Sequence, residues 1–253
     1  MEYAIETHQL TKDFAALRAV DSLDLRVPRG CFYGFLGPNG AGKSTTIKML
    51  TGLLAPSAGS AAVLGQDMAS EGLAAKARIG VMPEDLCLFD NLTAREYLIF
   101  IGRMYHVEKP VIGKRSDELL SLLGLEDADN TLVADFSHGM KKKLSLAAAL
   151  IHDPELLFLD EPFEGIDAIT SRTIRSVLDH FVERESTIFL TSHILEIVEK
   201  LCTHVGIIDQ GRLVSDGTLN DLAGGGSLEE AFVRAVGRVE EAPATLSWLN
   251  GTR

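Results

Sequence analysis

Gly37-Pro38-Asn39-Gly40-Ala41-Gly42-Lys43-Ser44 is the stretch whose reading decides the fold. Its spacing is G-x-x-x-x-G-K-[ST]: two glycines bracket four residues, and a lysine and a hydroxyl follow at once. Glycine takes up backbone conformations closed to other residues, so such a loop wraps closely enough for its N–H groups to converge on phosphate oxygens. The flanks agree. Cys31–Leu36 is a short apolar run of strand length, and Thr45–Leu54 puts Ile47, Leu50 and Leu54 on one helical face. Strand, glycine loop and helix in that order aim the positive end of the helix at the loop. Lys43 is then expected to reach the β- and γ-phosphates of a nucleotide and Ser44 to ligate Mg²⁺. Gly37, Asn39, Gly40, Ala41, Gly42 and Thr45 complete the cradle.

Downstream, Leu156-Leu157-Phe158-Leu159-Asp160-Glu161 is an apolar run ending in two carboxylates. Parallel strands covered on both faces read this way, and the C-terminal edge of such a sheet is where α/β proteins bind ligands. A carboxylate at Asp160 suits the surroundings of Mg²⁺, and Glu161, one residue on, is placed to polarise an attacking water.

Short strand and helix patterns alternate after the glycine loop, the mark of a mainly parallel sheet. Residues 1–30 alternate polar and apolar between turns, which predicts antiparallel strands joined by Ala61–Leu64. Strand signals nearly vanish between 86 and 151, where Thr93 and Glu96 fit a capping box opening a helix with Tyr97, Ile101 and Met104. Strands resume at Leu156–Leu159, Thr187–Leu190 and Val205–Ile208, with Asp209-Gln210-Gly211 as a turn. Gly224-Gly225-Gly226 is a break, and Ser227 with Glu230 caps a last helix through Val236; beyond Gly237 the tail is polar with a lone Trp248. The expected architecture is an α/β P-loop NTPase core with an N-terminal antiparallel β-subdomain and an inserted α-helical subdomain. The core with its β-subdomain takes residues 1–85 and 152–222, the helical subdomain 86–151, and a terminal helix and tail 223–253.

Composition narrows the function. The 253 residues are 46% hydrophobic, 24% charged and 6% aromatic, with a net charge of −12, which argues against a grip on nucleic acid through overall charge. Cys31, Cys87 and Cys202 show no CxxC spacing, so neither a disulfide framework nor a zinc site is expected. MEYAIETHQL carries charge from its second residue and has no apolar h-region, so no secretory signal is expected. The longest apolar stretches, Leu98–Ile101 and Leu144–Ile151, are too short to span a bilayer.

Asp160-Glu161-Pro162 behind four apolar residues resembles the Walker B segment of ABC ATPases. Between it and the glycine loop, Phe136-Ser137-His138-Gly139-Met140-Lys141 resembles that family's signature motif, commonly LSGGQ. Ser137 and Gly139 match; His138 and Met140 depart. Ser137 is a good N-cap, with Leu144, Ala147, Ala148 and Ile151 as an apolar stripe behind it. The resemblance implies that Ser137 and Gly139 touch the γ-phosphate held by a second subunit. Gly165-Ile166-Asp167 resembles the D-loop at the dimer interface, although Asp167 also fits a plain N-cap. Thr191-Ser192-His193 resembles the H-loop, whose histidine bonds the γ-phosphate. Phe14 sits where the family keeps an aromatic that stacks on adenine, and it fits a core position equally. Glu84, in Ile79-Gly80-Val81-Met82-Pro83-Glu84, takes the Q-loop position, where glutamine is commonest and a carboxylate approaches triphosphate only beside a cation. Lys141-Lys142-Lys143 reads as a solvated face.

The resemblance runs from Leu10 to Gly237. It implies ATP and Mg²⁺ as ligands and hydrolysis carried by Lys43, Glu161 and His193. It also implies a homodimer or heterodimer of ATPase subunits and a separate polytopic membrane permease. The chain would sit in the cytoplasm, peripheral on the inner face of the membrane, with no nucleic-acid partner and with export as the transport direction. Tyr97, Phe100 and Tyr105 suit either a groove for the permease or internal helix packing. An importer ATPase, and a soluble ABC ATPase of repair, assembly or translation, remain as alternatives.

Overall fold

Residues 3–237 are described by the computed structural model. The alternating N-terminal segment forms β1 (Tyr3–Phe14), β2 (Leu17–Leu23) and β3 (Arg26–Pro28). β1 is long enough to pair antiparallel with both successors, Leu10 against Leu23 and Ile5 against Val27. The chain then enters β4 (Phe32–Leu36), buried throughout, and passes through the glycine loop into α1 (Lys43–Leu50). It returns to the first sheet as β5 (Ala58–Val63) and β6 (Gln66–Asp67). β5 pairs antiparallel with β1, so this sheet runs β2-β1-β5-β6 with β3 also beside β1. Ala61 thus joins the N-terminal strands as expected. α1 is shorter than the expected Thr45–Leu54. Gly42, at φ 108°, opens it at Lys43; Thr51 turns its hydroxyl back onto the Ile47 carbonyl (2.8 Å), and Gly52, at φ 66°, diverts the chain.

After α2 (Gly72–Lys76) and β7 (Ile79–Met82), helices take over: α3 (Ala94–Met104), α4 (Lys109–Leu122) and α5 (His138–Leu150). Thr93 caps α3 reciprocally with Glu96, hydroxyl to N–H at 3.2 Å and N–H to carboxylate at 2.9 Å. Then follow β8 (Leu156–Asp160), α6 (Ala168–Val182), β9 (Thr187–Ser192), α7 (Leu195–Leu201), β10 (His204–Asp209) and β11 (Arg212–Thr218). The second sheet has the order β11-β10-β4-β9-β8-β7, parallel except for β11. Gln210 and Gly211 make the turn into β11 with φ of 47° and 80°. α8 (Leu219–Ala223) ends at left-handed Gly224, and Ser227 caps α9 (Leu228–Val236). Trp248 and the rest of the expected tail lie outside the described residues.

The parallel sheet divides the core in two. Leu157, Leu159, Ile188 and Leu190 face the helices; Phe158, Phe189 and Phe35 face α1 and the first sheet. Alternation along strands buried on both sides requires this division. Phe189 is its hub on the second face, with ring centroids 5.6 Å from Tyr33, 5.3 Å from Phe35 and 5.6 Å from Phe158. Among the described residues no helix is long and apolar enough to cross a membrane.

α5 lies so close to β7 that a Cβ on Gly80 would strike the Ala149 carbonyl. A backbone oxygen cannot move aside as a flexible side chain would. Gly80→Ala is expected to destabilise the protein by about 1–3 kcal/mol, read as a lower midpoint in urea unfolding.

Candidate nucleotide site

Three segments far apart in sequence meet because their strands are neighbours. The glycine loop leaves β4, His193 follows β9 and Glu161 follows β8, and the sheet order puts β9 between the other two. In register, Leu36 lies beside Ser192 and Asp160 beside Thr191. All three strands therefore end at one edge, which opens into a cavity of about 420 Å³, a volume common for small-molecule sites. Asn39, Gly40, Gly42, Lys43, Ser44 and Thr45 line it on one side, Glu84, Glu161 and His193 on another, with Phe14 and Leu17 at the rim.

The loop conformation needs its glycines. A Cβ on Gly37 would strike the Ile208 carbonyl, and one on Gly42, already at φ 108°, would meet the Ala19 carbonyl at 2.5 Å. Ala41 is buried, and its carbonyl accepts from the N–H of Gly211 at 2.9 Å. The Gly211 carbonyl in turn accepts from Asp21 N–H at 2.9 Å, tying both sheets to the loop. Lys43 lies back along the loop and donates to the Gly37 carbonyl at 2.9 Å.

Opposite stands the acidic strand end. The Thr191 hydroxyl donates to Asp160 Oδ1 at 2.6 Å and accepts from Glu161 N–H at 3.1 Å. Glu161 is left-handed, with φ 48°, a conformation that costs a non-glycine residue about 1–3 kcal/mol and persists only where surroundings enforce it. Its Oε1 is 3.7 Å from Lys43 Nζ; its Oε2 accepts from His193 N–H at 3.3 Å and lies 3.0 Å from His193 Nδ1. The Ser44 hydroxyl sits 3.3 Å from Asp160 Oδ1 and 3.4 Å from Glu84 Oε2. These spacings are long for direct O–H···O bonds and suit oxygens arranged around a shared hard cation. Among the described residues no group of three His, Cys, Asp or Glu side chains could hold a metal. A cation here would need the serine hydroxyl and phosphate oxygens as well.

Ser137, Gly139 and Asp167 do not join this cavity; they cluster with one another. The Ser137 hydroxyl caps α5 by accepting from Met140 N–H at 3.3 Å. Asp167 caps α6, accepting from Ile169 N–H at 2.8 Å and Thr170 N–H at 2.9 Å, and the Thr170 hydroxyl donates to its other oxygen at 2.7 Å. The Thr170 N–H, the Thr170 hydroxyl and then the Ile169 N–H hold the Asp167 carboxyl below its ordinary pKa. A Cβ on Gly139 would lie 3.1 Å from the Thr170 hydroxyl, so the two caps touch.

One open alternative closes and one expectation changes. Phe14 is not a core residue: it is 45% exposed at the cavity rim, with Lys12 Nζ 5.3 Å from its ring centroid. The basic run is not a solvated face. Lys141 pairs with Asp90 at 3.1 Å, but Lys142 is 3% exposed and donates to the main-chain carbonyl of Glu161 at 2.7 Å. Three like charges in a row hid the helical period, which turns the middle one inward beside Leu146 and Ser145. The bridging role of Thr191 was also missed, since seeing it requires the strand order.

The sequence matches the family described as "ABC transporter" over residues 20–164. It is 40% identical over 219 residues to the daunorubicin/doxorubicin resistance ATP-binding protein DrrA of Streptomyces peucetius, covering 87% of this chain and 66% of that protein. It is 42% identical over 217 residues to the bacitracin transport ATP-binding protein BcrA of Bacillus licheniformis, covering 85% of this chain and 70% of that one. The chain thus spans about two thirds of the length of these relatives. A solved structure described as the ATP-binding subunit of an ABC transporter matches with a TM-score of 0.86 at 30% identity, covering 92% of this chain and 99% of the other.

Thr191→Val keeps the shape of the side chain but leaves the Asp160 carboxylate and the Glu161 N–H without their buried partner. A loss of about 1–3 kcal/mol is expected, measured by urea unfolding against the wild type.

Proposed function

This chain belongs to the ABC transporter family, whose ATP-binding subunits are ATPases, and we propose that it binds and hydrolyses ATP to drive export through a separate membrane permease. The observation that carries this reading is the meeting of Lys43, Ser44, Asp160, Glu161 and His193 at one sheet edge. The loop N–H groups and Lys43 take the β- and γ-phosphates, replacing the bond of Lys43 to the Gly37 carbonyl. Phe14 and Leu17 form the apolar rim suited to the adenine. Ser44, Asp160 and Glu84 are the oxygens that would hold Mg²⁺, which when bound offsets phosphate charge. That also resolves the presence of a carboxylate at 84 beside a triphosphate.

Glu161 accepts the proton of the attacking water as it bonds to the γ-phosphorus, and the bond to the β–γ bridging oxygen breaks. His193, oriented by its contact with the Glu161 carboxylate, meets the γ-phosphate oxygens. Ser137, Gly139 and Asp167 cluster apart from the cavity, so they serve a nucleotide on a second ATPase subunit, and the working unit is a dimer. Membrane attachment runs through the permease, and the chain works peripherally on the cytoplasmic face, as suits an ATP-binding subunit similar to those of transporters. Its docking face includes Phe89 and Phe100, exposed and edge-on at 5.3 Å. Tyr97 is buried and Tyr105 stacks on His152 at 3.6 Å, so those two serve internal packing. The drug-resistance and bacitracin-transport relatives support export as the direction.

Glu161→Gln is expected to keep ATP binding, to lower turnover by about 10²–10⁴-fold, and to trap an ATP-bound dimer visible by size-exclusion chromatography with Mg-ATP. Hydrolysis at the wild-type rate would overturn the role of Glu161. The permease is tested by purification from native cells in mild detergent. A polytopic membrane protein is expected to come with the chain; recovery of soluble repair or ribosomal proteins alone would remove the transporter reading and leave the ATPase.

A further inference from the structure

Among the described residues, the buried charged side chains are Lys43, Lys142, Asp160 and Glu161. Lys43, Asp160 and Glu161 meet at the nucleotide site; Lys142 does not line that cavity. It lies on the second turn of α5, and its ammonium, which carries donors only, is turned onto the main-chain carbonyl of Glu161 at 2.7 Å. Burial lowers its pKa from 10.5, and Glu164, Glu161 and Glu84 act against that. A lysine is rarely so deeply enclosed without a partner, and this one is bonded to a backbone oxygen of a residue held in a left-handed conformation. Glu161 is left-handed, its N–H is fixed by Thr191 at 3.1 Å, and Lys142 fixes the other polar group of its main chain. β9 holds Glu161 from one side and α5 from the other.

We propose that Lys142 is a positioning residue for ATP hydrolysis: by holding the Glu161 carbonyl it fixes the backbone conformation that aims the Glu161 carboxylate, and it ties that aim to the helix capped by Ser137. The proposal rests on Glu161 being the carboxylate that takes the proton of the attacking water. Because Lys142 touches neither the phosphate loop nor the adenine rim, its loss acts on the chemical step and spares binding.

Lys142→Met keeps the length of the side chain and removes the donor. Steady-state kinetics of the full chain are expected to give a kcat lower by about 10- to 100-fold, with KM for ATP and the affinity for a non-hydrolysable ATP analogue within about twofold of wild type. K142R, which retains a charged donor, is expected to restore most of the rate. Should K142M not fold, K142Q carries the same expectation, since its shorter side chain falls short of the carbonyl. In an E161Q background, adding K142M is expected to change residual turnover by less than about twofold, as for two residues acting through one carboxylate. An unchanged kcat in K142M, a parallel loss of ATP-analogue affinity, or a further tenfold loss on top of E161Q would each overturn the proposal. Wild-type hydrolysis by E161Q alone would instead remove the reading of Glu161, whereas a slow E161Q beside a fast K142M removes only the role of Lys142.

Discussion

The Thr191 hydroxyl bridges two strands at the point where Asp160 and Glu161 meet the cavity. It donates a hydrogen bond to Asp160 and accepts one from the N–H of Glu161, so the Asp160 carboxylate and the main chain of the next residue are held by one atom of β9. That bridge exists because the parallel register sets Asp160 beside Thr191. A slip of one residue would turn Thr191 to the opposite face of the sheet and break its bond to the carboxylate. The strands that carry this register are buried along their whole length, and such strands have no solvent-facing alternative to slip into. The hydrophobic core therefore acts on the chemistry indirectly, by fixing which polar atoms face one another at the sheet edge.

Charge imposes a second constraint. The chain carries a net charge of −12, and an isolated carboxylate taken out of water is costly. The buried ammonium groups of Lys43 and Lys142 stand against the buried carboxylates of Asp160 and Glu161, so the interior of the site is balanced before any triphosphate arrives. The arrangement is uneven in a useful way. Lys43 is 3.7 Å from Glu161 Oε1, too long for a strong ion pair, and its closest bond is to a loop carbonyl. A phosphate oxygen is a better acceptor than that carbonyl, so Lys43 can change partner at little cost. Lys142 is bonded to the Glu161 carbonyl at 2.7 Å, with the charges of Glu164, Glu161 and Glu84 acting on it as well.

Much of this was legible in the sequence, for reasons that also explain the rest. The glycine loop is local: its conformation, its strand and its helix follow each other in the chain, and the same holds for the caps at Thr93, Ser137, Asp167 and Ser227. The buried strand before Asp160 reads directly because both faces must be apolar. Lys142 and Thr191 did not read, because neither is defined by its neighbours in sequence. The first depends on which face of α5 turns toward the residue that follows β8, the second on β9 lying between β4 and β8. Phe14 was ambiguous for a related reason, since an aromatic near a strand end fits core or rim until the hairpin that follows it is placed. The tie between the Gly211 turn and the phosphate loop links residues whose sequence context says only that a turn is present.

The separation of Ser137, Gly139 and Asp167 from the cavity is itself a consequence of packing. Gly139 rests on Thr170, and Asp167 binds that same threonine twice, through its N–H and its hydroxyl, so the starts of α5 and α6 form one stiff unit whose polar groups are largely consumed by capping. The stiffness extends inward. α5 buries Leu144, Leu146, Ala147 and Ala149, and at about 1.5 Å of rise per residue the Ser137 cap and the Lys142 ammonium are anchored about 7–8 Å apart along one rigid rod. A ligand that displaced the cap could not do so without moving the rod, because close-packed interiors transmit small shifts and do not absorb them. The inner end of that displacement would fall on the carbonyl of Glu161. An outward-facing surface and a buried carboxylate in the same chain are thus joined by a single helix, and the connection needs no flexible segment between them.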